Sequence, residues 1–268
     1  MMARVFGSLS ETFSLITEHS NKHLDVPEES IRVADHQLWH RCFRYAHWNT
    51  RYNRPLVDVP ERSSESIRTI RQEYLTLADG RRLVIKNPSH ILYPDLIREI
   101  FPDAVFVFCA RNPWTTLQSM VAKGRTSFLL RSSRTQEPGL SLLLKAAVGW
   151  ADAMDNYVRH RDRRWTVAAY EKIVADPRTR LSELFRQLHI DDDPGLEASY
   201  GIPCVTKQKD YYFIKQAFRR SPTRTRLMNE LRQGCELFGY PLSPDDLPGS
   251  FRGHVLQRVS EKIRRLAG

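Results

Sequence analysis

The chain has 268 residues, 41% of them hydrophobic, and carries 41 Lys and Arg against 31 Asp and Glu, a formal net charge of +10. This length suffices to bury a sizeable core, and no Pro/Gly/Ser linker divides it, so one domain spanning residues 1–268 is expected. No apolar run approaches the roughly 20 residues that span a bilayer, and no charged lead precedes an apolar core at the N-terminus, so the chain reads as having neither a transmembrane segment nor a secretory leader.

Residues 1–9 have the pattern of a helix body without a visible N-cap. Residues 13–17 (FSLIT) follow as a short strand ending at Glu18, whose carboxylate is either an ordinary surface group or, if the strand runs parallel to those downstream, part of their crevice. His19 and His23, and His36 and His40, stand four apart, but neither pair has the Glu of a zinc-protease helix or a third ligand, so no metal is expected. Residues 38–46 and 67–77 each present an apolar helical face, with an aromatic and basic stretch over 45–60 between them. The span 19–81 thus reads as a helical insertion or cap.

The stretch RRLVIKNPSHILYPDLIREIFPDAVFVFCARNPWTTLQSM, residues 81–120, organises the rest. Leu83 to Ile85 form a short strand ending at Lys86, and Leu96, Ile97, Ile100 and Phe101 recur at helical spacing. The unbroken apolar run 104–110 then stops at Arg111-Asn112-Pro113. Strand, crossover helix and strand, both strands apolar without alternation, suit a parallel sheet buried on both faces. Ligands of such sheets bind outside the carboxyl ends of the strands, where Lys86 and Arg111 stand. Asn112 can cap a helix and Pro113 suits its first position. A helix N-terminus offers free N–H groups and partial positive charge beside Arg111, and Ser119, eight residues on, adds a hydroxyl. That pattern fits a phosphate, and it equally fits an Arg111 paired with a carboxylate and a buried helix serine.

Residues 123–139 are basic and turn-rich, and read as a loop or lid. A helix follows over 142–157, then a strand over 165–169 ending at Tyr170-Glu171, then helices over 177–189 and 224–238, the last stopped by Gly239. The tail, residues 252–268, reads as a basic C-terminal helix that makes weak contact with a membrane surface or packs as the last helix. Between 203 and 268 there are 13 Lys and Arg against 6 Asp and Glu. No zinc finger, RNP aromatic pattern or basic heptad accompanies that surplus, so a small polyanion is favoured over nucleic acid. Cys42, Cys109, Cys204 and Cys235 make no metal or redox spacing, and a reduced, cytoplasmic chain is the simplest account.

In order, KNPSH, IFPDAVFVFCARNPWTTLQS, AAYEKIVADP and ELRQGCELFGYPL resemble the sulfotransferases that use 3′-phosphoadenosine 5′-phosphosulfate (PAPS), nearest in pattern to the tyrosylprotein and bacterial branch. The resemblance runs from about residue 1 to 242. It implies an α/β fold, with a three-layer P-loop-like parallel sheet flanked by helices. It implies that Arg111 and Ser119 hold the 3′-phosphate of the donor and that Tyr170 lies near the nucleotide. Lys86 and His90 fall in the family's Lys-Thr-His stretch, here spaced by four positions rather than two. The general base would be His90 or, as in the tyrosylprotein branch, Glu18. The family's first strand and its Ser-Gly-Thr loop have no counterpart in the sequence. The reading frame is therefore expected to extend upstream of Met1, and a chain lacking that loop is expected to be unstable or inactive.

The expected reaction is sulfuryl transfer to an acceptor hydroxyl on a carbohydrate, another small molecule or a tyrosine, with Lys86 helping to neutralise charge on the sulfate or the departing phosphate and no metal required. Two other readings stay open. A nucleotide-dependent phosphotransferase would carry a Gly-rich loop ending in Gly-Lys-Ser or Gly-Lys-Thr, which does not occur. A non-catalytic or truncated nucleotide-binding paralogue would keep the Arg111 site alone. Neither the acceptor nor the oligomeric state is legible.

Overall fold

The structure is a computed structural model that describes residues 9, 12–16, 48–49, 54–55, 64–86, 90–91, 94–123, 134–190, 192–200 and 211–247. In chain order these form β1 (Thr12–Ile16), the two-residue strands β2 (Trp48–Asn49) and β3 (Arg54–Pro55), α1 (Ser64–Ala78), β4 (Arg82–Lys86), α2 (Pro94–Ile100) and β5 (Phe106–Ala110). Next come α3 (Pro113–Lys123), α4 (Leu142–His160), β6 (Trp165–Ala169), α5 (Tyr170–Ala175), α6 (Pro177–Gln187) and α7 (Leu196–Tyr200). The last helices are α8 (Tyr212–Arg220) and α9 (Arg224–Phe238), and 3-10 turns lie at Arg134–Gln136 and Pro244–Asp246. The expected α/β class holds. The readings of residues 1–8, of Glu18 and the histidine pairs, of the 38–46 face, of 124–133 and of the basic tail concern residues outside this set.

Two units are distinct. The first comprises Met1–Cys109, His160–Ala168 and Lys172–Cys204. In it β1 pairs with β4 in parallel, Thr12 opposite Arg82 through to Ile16 opposite Lys86, so the carboxyl ends of the two strands coincide. The parallel pairing that was the condition for Glu18 sharing a crevice with Lys86 is therefore met at the backbone. β2 and β3 pair antiparallel, and β5 pairs with β6. Among the described residues β4 and β5 are not hydrogen-bonded neighbours. Each pairs instead with another strand, β4 with β1 and β5 with β6.

The apolar periodicity of α1 and α2 is spent on this unit. Tyr74 of α1 is fully buried and meets Phe101 edge to face, with ring centroids 5.7 Å apart. α2 opens with Pro94 and Asp95 and closes with Arg98, the order a helix dipole favours. Arg98 donates to the carbonyl of His160 at 2.8 Å and pairs with Asp162 at 3.1 Å, beside the stacked rings of Phe106 and Trp165. Asp176 caps α6, accepting from the Thr179 N–H, and Pro177 takes the first helical position. The face of α6 formed by Leu181, Leu184 and Phe185 packs with Leu9, Ala168, Ile173 and Ile190 into one apolar cluster.

One expectation fails in β5. Its unbroken apolar sequence predicts burial on both faces, but Cys109 is exposed between buried Phe108 and Ala110. Strand pleating puts Cys109 on the same side as Val107, which packs partly buried against the Leu9 cluster, so the cover on that side reaches Val107 and stops short of Cys109.

The second unit comprises Ala110–Arg159, Ala169–Glu171 and Val205–Gly268. Its core joins Trp114 and Leu117 of α3, Leu144 and Val148 of α4, Ile214 of α8, and Leu227 and Leu231 of α9, all fully buried. α4 is apolar around most of its circumference, and Asp152 is buried with it. Arg134, in the 3-10 turn, meets that carboxylate at 2.6 Å and also pairs with Glu230 of α9. Arg226 of α9 in turn pairs with Glu137 at 2.8 Å. The end of the expected loop is thereby tied to two helices by charge. α9 ends as its sequence predicts, with Gly239 in the left-handed conformation at φ 67°.

Gly234 lets α9 lie against Trp150. A Cβ there would enter the space of the indole ring and stand 2.6 Å from Met154 Cγ. Gly234→Ala should therefore cost about 1–3 kcal/mol in overpacking, read as a lower urea midpoint at unchanged slope. An unchanged midpoint would mean that the indole gives way freely. The cysteines differ as well: burial, and then the charge of Glu236, push the Cys235 thiol up to about 12. Iodoacetamide at pH 8 should alkylate Cys109 and spare Cys235 in peptide mass mapping.

Candidate functional site

The geometry follows from how the backbone leaves β5. After Ala110 the apolar run gives way to Arg111-Asn112-Pro113, and α3 begins at Pro113 with Asn112 as its cap, as the sequence predicts. Asn112 Oδ1 accepts from the N–H of Trp114 at 2.9 Å and of Thr115 at 3.4 Å. The Asn112 carbonyl accepts from the Thr116 N–H at 3.2 Å and from the hydroxyls of Thr115 and Thr116. Proline has no N–H to offer. This corrects one expectation: the first-turn amides of α3 are taken by the cap and are not free for an anion. What remains for an anion is the partial charge of the helix end and the Arg111 side chain.

Arg111 is half-buried, with its guanidinium 4.4 Å above the Tyr170 ring centroid. Among the described residues it forms no ion pair, and its buried Nε has no hydrogen-bond partner. The alternative in which Arg111 pairs with a carboxylate is therefore not what these residues form. Glu171, next to Tyr170, turns its carboxylate elsewhere. Its Oε1 accepts from the Asn112 N–H at 3.0 Å, and its Oε2 accepts from the Tyr240 hydroxyl at 3.2 Å. A stacked guanidinium with an unmet N–H keeps both its charge and part of its donor fork available to a ligand.

Two phenols complete the surroundings. Burial, and then the charge of Glu171, raise the pKa of Tyr211, with Arg111 pulling the other way. Burial and Glu171 likewise hold the Tyr240 phenol well above its ordinary value. Both hydroxyls are therefore protonated donors at neutral pH. Tyr211 immediately precedes α8, and Tyr240 follows the Gly239 stop of α9.

Of the residues singled out in the sequence, Arg111 and Tyr170 are in contact. Ser119 lies half-buried in the second turn of the helix that starts two residues after Arg111. Lys86 closes β4 opposite Ile16, and His90 sits half-buried in a short 3-10 turn, both in the first unit. Glu18 lies outside the described residues. Trp150, Tyr211 and Tyr240, and the part played by Glu171, escaped the sequence reading. The only local signal was the Tyr-Pro after the Gly239 stop. Among the described residues no group of His, Cys, Asp and Glu is placed to hold a metal, and no helix is long and apolar enough to cross a membrane.

Comparison with known proteins follows the same lines. A sequence profile described as the sulfotransferase family matches residues 7–194. No curated protein sequence matches the chain. Among solved structures, the sulfotransferase domain from the curacin biosynthetic pathway is similar over 64% of this chain and 68% of its own, at 19% identity and a TM-score of 0.45. The sulfotransferase domain from the Synechococcus PCC 7002 olefin synthase is similar over 67% of this chain and 65% of its own, at 22% identity and a TM-score of 0.45. The profile match takes in β1, β4, the Arg111 turn and Tyr170-Glu171, and by it the chain belongs to the sulfotransferase family.

Proposed function

We propose that the chain transfers a sulfuryl group from PAPS to an acceptor hydroxyl, and that Arg111 binds the 3′-phosphate of the donor. The observation that carries this reading is the Arg111 guanidinium, stacked on Tyr170, paired with no carboxylate among the described residues, at the capped end of α3. A phosphate beside it would gain charge-assisted hydrogen bonds and the favourable end of a helix dipole. Ser119 adds a hydroxyl to the same phosphate, and Tyr170 stays near the nucleotide.

In the transfer, the acceptor oxygen bonds to sulfur as the bond from sulfur to the phosphate oxygen breaks. Glu18 or His90 takes the acceptor proton, and Lys86 neutralises the phosphate that departs. Binding at the remote 3′-phosphate serves to hold sulfur in line with the incoming oxygen. Carbohydrate, other small-molecule and tyrosine hydroxyls all satisfy this chemistry.

Thermal stabilisation by adenosine 3′,5′-bisphosphate tests the reading. The parent should gain several degrees at saturating ligand, and Arg111→Ala should lose nearly all of that gain, since one charge-assisted contact is worth about 1.5–3 kcal/mol. ATP with magnesium should stabilise less than the bisphosphate, and the reverse order would favour phosphoryl transfer. Binding without transfer to any acceptor hydroxyl would instead identify a nucleotide-binding paralogue. Asn112→Asp offers a charge test that leaves the cap in place. Its melting temperature without ligand should fall only modestly, because Asp caps as well as Asn although the new carboxylate is buried on the residue that binds Glu171, while bisphosphate affinity falls severalfold from the added negative charge.

A further inference from the structure

The peptide unit joining Arg111 to Asn112 is held from both sides. Its carbonyl accepts from Trp150 Nε1 at 3.3 Å, and its N–H donates to Glu171 Oε1 at 3.0 Å. The described residues contain no cis peptide bond, so in this trans unit the C=O and the N–H point in opposite directions. Two bonds pulling on opposite edges of a rigid plane stop it rotating, and so fix ψ of Arg111 and φ of Asn112. The Tyr240 hydroxyl then holds the second oxygen of Glu171 at 3.2 Å. Tyr170, the chain neighbour of Glu171, is also the ring beneath the Arg111 guanidinium. One short segment thereby controls both the backbone of Arg111 and the platform for its side chain.

We propose that Trp150, Glu171 and Tyr240 are positioning residues. They lock the Arg111–Asn112 peptide and so aim the guanidinium at the 3′-phosphate, a proposal that rests on the anion-site reading above. A carboxylate near an anion site would ordinarily repel the ligand. Here its two oxygens are directed to a backbone N–H and a phenol O–H, and its contribution is geometric.

The test is calorimetric titration of the whole chain and four variants with adenosine 3′,5′-bisphosphate and with adenosine 5′-monophosphate, which lacks the 3′-phosphate. Tyr240→Phe and Glu171→Ala should each weaken the bisphosphate about tenfold and leave the monophosphate nearly unchanged. Glu171→Gln should recover most of the loss, because its amide oxygen still accepts from Asn112 and its amide N–H can meet the Tyr240 oxygen. Should Glu171→Ala fail to fold, Tyr240→Phe, which removes a single hydroxyl, still answers.

Bisphosphate affinity unchanged in Tyr240→Phe and Glu171→Ala but lost in Arg111→Ala would overturn the positioning role and leave the anion site standing. Equal losses for both nucleotides would also overturn it, as general loosening rather than aim. Bisphosphate affinity absent from the parent, or unaffected by Arg111→Ala, would remove the anion site and the positioning role together.

Discussion

A chain that leaves a strand and enters a helix must satisfy backbone groups that neither the ladder nor the helix reaches. Between Ala110 and Thr116 this is done almost wholly by side chains. The Arg111 carbonyl goes to Trp150, the Asn112 N–H to Glu171, and the Trp114 and Thr115 amides to the Asn112 side chain. Buried amides and carbonyls tolerate few exceptions, so this accounting fixes the path of the backbone. It also decides what the turn can do. With its first-turn amides committed, the helix end contributes charge but no backbone donors, while the buried Arg111 Nε keeps an unmet N–H.

Two arginines in the second unit show how differently the same side chain is employed. Arg134 meets Asp152, Glu230 and, at 4.0 Å, Asp155. Surrounded by three carboxylates, it compensates charge that burial would otherwise penalise, and a ligand would have to displace strong partners to reach it. Even there the compensation is partial: Asp152 Oδ2 is buried without a partner, and burial together with the Asp152 charge raises the pKa of Asp155. Arg111 stands on an aromatic face, and the carboxylate of Glu171 is turned to other donors. Net charge of +10 says nothing about which arginine is free; the local distribution of acids does.

Periodicity and punctuation made much of this legible from sequence. The span of α9 follows from its apolar spacing and the Gly239 stop, and β6 falls on the five residues expected. The Asn112 cap and Pro113 start were readable because capping chemistry is local. Long-range pairing was not. Glu171 reaches Asn112 across 59 positions and Tyr240 across 69, and no window of sequence displays such a bond. The use of the first-turn amides escaped for a local reason: a cap that can bind an anion and one that is already satisfied have the same sequence. Cys109 misled for another reason: an apolar run states what a strand tolerates on each face, not how far along the strand each face is covered. The short helix α8 was unread because its aromatic and basic residues carry no cap signal, and the N-cap position, Tyr211, makes no side-chain cap bond.

The turn after α9 has a consequence in time. Tyr240 closes on Glu171, and the carbonyl of Pro241 accepts from the Trp114 indole at 3.0 Å across 127 positions. A ribosome adding about 5–20 residues per second needs roughly 6–25 s to travel that distance. For most of that interval the nascent chain already contains Arg111, Asn112 and α3, while Tyr240 and Pro241 have yet to be made. The Arg111 turn is thus completed late, by residues 240 and 241, and any arrest of synthesis before residue 240 leaves it without its final support.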